Sequence, residues 1–69
     1  MDLKEIGELI KKRREFLHLR QEDLSELSKV AIKTIHLVEQ GNCNPSFDTL
    51  KKVAEVLGLE IDLKIKKIS

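Results

Sequence analysis

Aromatic side chains are almost absent. Phe16 and Phe47 are the whole complement of a 69-residue chain that has no Trp and no Tyr. Proteins that hold single strands or unpaired RNA stack bases on aromatic rings, so this chain is poorly equipped for that work. Cysteine is scarcer still. Cys43 stands alone, which rules out an internal disulfide and suits a reducing cytoplasm. One thiol with two histidines far apart in the chain, His18 and His36, does not make a metal set. No residue pairs a nucleophile with a base, so neither catalysis nor a cofactor is expected. No apolar run approaches the length of a membrane span, and no signal-peptide pattern opens the chain. A large charge of one sign is missing too. Thirteen basic residues against twelve acidic ones leave a net charge of +1, weak support by itself for a nucleic-acid partner.

What is present is charge in specific places. Charged residues make up 36% of the chain, as on a solvated helical surface. Between Leu27 and Val38 the charged side chains are Lys29 and Lys33, joined by titratable His36, with no acid. Lys11, Lys12, Arg13 and Arg14 form a second basic run, a pattern that a solvated helix face also produces. Acids gather elsewhere, at Glu5, Glu8, Glu22, Asp23 and Glu26. A nearly neutral chain of this kind can still present a polarised surface.

Periodicity divides the chain into elements. Asp2 followed by Glu5 reads as a capping box for a first helix from about Leu3 to Leu17. Leu3, Ile6, Ile10 and Leu17 form its apolar stripe, widened by Leu9 and Phe16. His18 and Leu19 break the pattern. A second helix runs from about Gln21 to Ser28, with Arg20 where a Ser or Thr cap is usual. Lys29 occupies the next turn, where a left-handed backbone is required and glycine would be easier. A third helix follows from about Ile32 to Gln40, ended by Gly41. Asn42 to Pro45 is a loop, and Ser46 caps a fourth helix, Phe47 to Leu57, closed by Gly58. Leu24, Leu27, Val30, Ile35 and Val38 are expected to meet in one core. Ile32, Lys33, His36 and Leu37 then have no place inside it.

After Gly58 the period changes to two. Leu59, Ile61, Leu63 and Ile65 alternate with Glu60, Asp62, Lys64 and Lys66, which predicts a strand with one apolar and one charged face. It is the one strand candidate in the chain. A lone strand leaves backbone groups unpaired, and an identical strand from a second copy would satisfy them. A homodimer is the expectation, with a tucked or disordered tail, or pairing with a different protein, as the alternatives. The chain divides into a helical domain, residues 1–58, and a C-terminal dimerising segment, residues 59–69. A domain this small has little stability to spare and gains from assembly. No ligand-sensing unit is expected within a domain of this size.

The pattern Leu19–Gln21, Leu24, Val30, Thr34–Ile35, Glu39, Gly41, then Pro45–Ser46, Leu50, Ala54 and Leu57–Gly58, resembles the helix-turn-helix of the phage Cro and repressor family, often called XRE-like. The likeness covers about residues 4–58. The tail from Leu59 to Lys66 resembles the strand that follows this domain in HipB-type antitoxins. These resemblances imply a mainly α, lambda-repressor-like domain of four to five helices, with a short β-strand paired across a dimer. They imply a cytoplasmic regulator, most simply a repressor, on double-stranded DNA. They leave open an antitoxin that silences a protein toxin and represses its own operon.

The same resemblance assigns residues. Gln21 matches a glutamine that bonds a phosphate and buttresses the third helix, and Arg20 a cap that often touches phosphate. Ala31, Ile32, Lys33, His36 and Leu37 match the groove-facing positions. Arg14 and Glu39 match a pair that ties the first helix to the third. Asn44 and the amides around Ser46 and Phe47 match phosphate-facing positions, where a helix N-terminus favours an anion. Lys29 and His18 stand where the family commonly has glycine. Ile32 and Leu37 stand where it is commonly polar, leaving Lys33 and His36 for hydrogen-bond readout and the two apolar residues for thymine methyls.

Overall fold

Asp2 starts the first helix by two reciprocal bonds. Its carboxylate accepts from the Glu5 backbone N–H at 2.8 Å, and the Glu5 carboxylate accepts from the Asp2 N–H at 3.3 Å. In the computed structural model, which describes residues 1–64 and Lys66, four helices follow one another: α1 (Leu3–Phe16), α2 (Gln21–Ser28), α3 (Ile32–Gln40) and α4 (Phe47–Leu57). The helix boundaries read from periodicity agree to within one residue, Leu17 being the cap of α1 rather than its last turn.

Each joint between helices has a chemical cause. After α1, His18 takes a left-handed backbone, φ 59°. Its N–H bonds the Glu15 carbonyl, and the Leu19 N–H reaches back to the Arg14 carbonyl at 3.0 Å. That pairing satisfies the carbonyls a helix end leaves open and turns Leu19 onto the core. Arg20 offers α2 no side-chain acceptor. Asp23 supplies the missing cap from the other side, accepting from the Arg20 N–H at 2.8 Å. Lys29 is left-handed at φ 64°, a conformation costing an L-residue roughly 1–2 kcal/mol. Two serines offset that strain. The Ser25 hydroxyl donates to the Val30 carbonyl at 2.6 Å, and Ser28 Oγ accepts from the Val30 N–H at 3.3 Å. Gly41 (φ 74°) and Gly58 (φ 69°) end α3 and α4.

Ile10, Leu24, Val30, Ile35, Val38, Val53, Ala54 and Leu57 form the buried core. Ile6, Leu19, Cys43, Leu50, Val56 and Leu59 pack around it. Leu27 does not join them and is 59% exposed. Leu24 and Ser28, four residues apart, take the inward face of the short α2, and Leu27 is rotated off it. The stripe on α1 also differs from expectation. Leu3, Leu9, Phe16 and Leu17 are exposed, and the inward positions are Gly7, Ile10 and Arg14. Gly7 lies where α1 crosses α3. A Cβ there would stand 2.3 Å from the Val38 carbonyl oxygen and 2.7 Å from that of Glu39.

The segment after Gly58 departs most from its sequence reading. Among the described residues no strand forms. Leu59 packs on the core and its N–H bonds the Ala54 carbonyl at 2.9 Å, so it completes the helical unit. Ile61 and Leu63 stay in solvent, Leu63 at 93% exposure. The physical reason is the absence of a ladder partner: a strand exists only by pairing, and one copy of the described chain has nothing to pair it with. Ile65, counted with that strand, lies outside the described residues. No helix among the described residues is long and apolar enough to cross a membrane.

Candidate nucleic-acid interface

α3 is held by its C-terminal half and free along the opposite face. Ile35, Val38 and Glu39 are buried. Ala31, Ile32, Lys33, His36 and Gln40 are exposed, and Thr34 and Leu37 are half-buried. Positions 32, 33, 36 and 40 fall on one side of the helix because successive turns bring i, i+4 and i+8 into line. Ile32, with almost half its surface in water, is therefore not core. Lys33 makes no ion pair among the described residues. The result is a short rod with one cation, one imidazole, one amide and one aliphatic side chain on its outer side, and with half-buried Leu37 at its edge.

Orientation of the rod rests on Glu39. Its carboxylate accepts from Arg14 Nε at 2.7 Å, from the second Arg14 guanidinium nitrogen at 2.9 Å and from Gln21 Nε2 at 3.0 Å. Arg14 also donates to the Leu19 carbonyl at 2.8 Å. One buried carboxylate thus ties α1, α2 and the α1–α2 turn to α3. The hydrogen bond to Glu39 raises the Arg14 pKa further above its ordinary value, against the opposing effect of burial. Every buried side-chain nitrogen and oxygen among the described residues has a partner, the condition under which a buried ion pair is tolerated.

The flanking positions differ in how free they are. Arg20 is exposed, with its guanidinium 3.5 Å from Glu22 and 3.7 Å from Asp23, solvated contacts that hold it weakly. The Gln21 side chain is engaged with Glu39. Asn44 is exposed in the loop before α4. The Ser46 hydroxyl is committed to capping, accepting from the Thr49 N–H at 3.1 Å and donating to Thr49 Oγ1 at 3.0 Å. What that helix end offers an anion is its first backbone N–H groups rather than the serine oxygen. Asp48, in the same turn, is paired with Lys52 at 3.0 Å.

Half of the basic run on α1 is structural. Arg14 serves Glu39. Arg13 donates to the Leu57 carbonyl at 2.8 Å, closing the end of α4, and its guanidinium lies 5.2 Å from the Phe16 ring centre. Lys11 and Lys12 remain exposed. Three further residues that matter here escape a reading of the sequence. Gly7 sets the approach of α1 to α3, Asp23 caps α2, and Gln40 extends the exposed face of α3. A glycine inside an otherwise amphipathic helix is the signal that marks Gly7, and the spacing of three from Arg20 marks Asp23. Among the described residues no group of three His, Cys, Asp or Glu side chains could hold a metal ion.

This arrangement, two short helices joined by a tight turn with the second facing outward, agrees with comparison to known sequences. Residues 10–64 match the helix-turn-helix family. The chain belongs to the XRE-like helix-turn-helix family. A protein of Methanococcus vannielii, described as a candidate HTH-type transcriptional regulatory protein, is 36% identical over 55 residues. That match covers 80% of this chain and 17% of the relative. The chain therefore spans about a sixth of that relative's length. Within the helix-turn-helix, α2 and α3 are the two helices of the motif, and the Ser25, Ser28 and Lys29 turn is its hinge.

Proposed function

We propose that this XRE-like helix-turn-helix chain binds double-stranded DNA in a sequence-dependent way and regulates transcription, most simply as a repressor. The observation that carries this reading is the outward face of α3, presented by a buried network that leaves Lys33 without an ion-pair partner among the described residues. A helix of this diameter fits the major groove, where each base pair displays a distinct set of donors and acceptors. Lys33 and His36 read polar base edges, while Ile32 and Leu37 pack against thymine methyls beside Ala31. Arg20, Gln21, Asn44 and the first amides of α4 contact phosphates and set the register. Two copies, joined through residues 59–66, place their α3 helices in successive major grooves about 34 Å apart on a near-palindromic operator. The antitoxin alternative rests on the resemblance of the tail alone, and no other observation favours it.

The test uses Lys33→Ala, a change on an exposed helix face that leaves the core intact. In a fluorescence-anisotropy titration with an operator duplex, the variant is expected to bind roughly tenfold or more weakly, with relaxed preference at one base position. Unchanged affinity would remove Lys33 from the interface.

A further inference from the structure

The charges of the tail are ordered along the chain. Two acids, Glu60 and Asp62, come first, and three bases, Lys64, Lys66 and Lys67, follow, with residues 60, 62, 64 and 66 spaced by two. All four are exposed in the single chain, and no ion pair joins them to the helical unit among the described residues. Leu63, at the centre of the four, is the most exposed large apolar side chain described, at 93%. Ile61 beside it is 44% exposed and faces a groove of about 390 Å³ shared with Phe47, Ala54 and Leu59. An apolar centre flanked by opposite charges is the signature of a surface complementary to itself.

We infer that the tail pairs antiparallel with the same segment of a second copy in one register, with Leu63 opposite Leu63. This inference rests on the homodimer reading above and names the geometry of its interface. In an antiparallel pair, residues directly opposite share a face of the ladder, and like charges placed opposite are unfavourable. With the two-fold axis at position 63, Glu60 of each copy lies opposite Lys66 of the other, and Asp62 opposite Lys64. The eight charges at residues 60, 62, 64 and 66 are all matched, and no like charges among them meet. Moving the axis one residue to position 62 sets Asp62 against Asp62. Moving it to position 64 sets Lys64 against Lys64. Registers centred between residues place charged side chains opposite apolar ones and lose the shared apolar face. A parallel in-register pair sets every charge against its own kind. The order acid, acid, base, base at residues 60, 62, 64 and 66 is therefore satisfied by one arrangement.

The test is charge exchange in the full chain, read by sedimentation equilibrium. Glu60→Lys with Asp62→Lys makes one variant, and Lys64→Glu with Lys66→Glu makes the other. Neither touches the helical core, and an unchanged thermal melt by circular dichroism verifies this. Each variant alone is expected to dimerise at least about tenfold more weakly than the original chain, because four attractive pairs become four repulsive ones. An equimolar mixture is expected to recover dimers near the original affinity. Variants that self-associate as tightly as the original chain would overturn the register while leaving the dimer standing. Weak variants whose mixture stays monomeric would overturn the charge pairing. An original chain that is monomeric throughout the accessible concentration range would remove the dimer itself, and the register with it.

Discussion

Glu39→Ala is expected to leave the chain largely unfolded at room temperature. The substitution removes the acceptor of three hydrogen bonds and strands the Arg14 guanidinium, whose side chain is 10% exposed. Breaking a buried ion pair by deleting one partner costs about 3–5 kcal/mol, because the remaining charge keeps its desolvation penalty without compensation. A domain of this size has a total stability of roughly 3–10 kcal/mol. The loss is thus comparable with the whole. Urea denaturation followed by circular dichroism is expected to show a midpoint near zero denaturant. Glu39→Gln, which keeps an acceptor oxygen in place, should fall between that variant and the original chain. An original-like midpoint for Glu39→Ala would show that α3 is held by apolar packing alone.

Gly7→Ala is the second large expectation, and its sign runs against helix propensity. On an exposed helix surface the change would stabilise by about 1 kcal/mol, since alanine loses less backbone freedom on folding. At Gly7 the new methyl would meet backbone carbonyl oxygens of Val38 and Glu39 at 2.3 and 2.7 Å. Backbone at the end of a packed helix cannot swing aside as a flexible side chain can. α1 must back away from α3, which lengthens the Arg14–Glu39 bonds that cross the same interface. Overpacking of this kind costs about 1–3 kcal/mol and sometimes more. The expected net result is a loss of about 2 kcal/mol, a fall in melting temperature of roughly 10 °C for a domain this small. DNA binding should weaken with it, because the same contact aims α3. A melting temperature at or above that of the original chain would contradict the close crossing.

The helices were legible because their signals are local. Capping residues, the glycines at 41 and 58, and repeats of three and four residues are written in consecutive stretches, and the four helices follow them. The outward placement of Ile32, Lys33 and His36 was legible for a related reason: the inward positions of α3 are already taken by Ile35, Val38 and Glu39. What could not be read locally depends on partners brought from elsewhere. Leu27 fits a helical stripe, but the shortness of α2 gives its inner face to Leu24 and Ser28. The basic run on α1 looks uniform, yet Arg13 and Arg14 are drawn to Leu57 and Glu39 by the fold and Lys11 and Lys12 are not. Ser46, by contrast, was legible as the cap of α4, where its oxygen is spent. The period-two tail records a preference for pairing, and a preference becomes a strand only when a second strand is present.

In the proposed function the exposed side of α3 reads base pairs. Selection from a pool of random duplexes by the purified chain, followed by sequencing of the bound fraction, tests it most directly. The expected result is enrichment of a short sequence present as two inverted half-sites, centred about one helical turn apart. Recovery of the pool without any enriched sequence, at salt low enough for the chain to hold DNA, would contradict it.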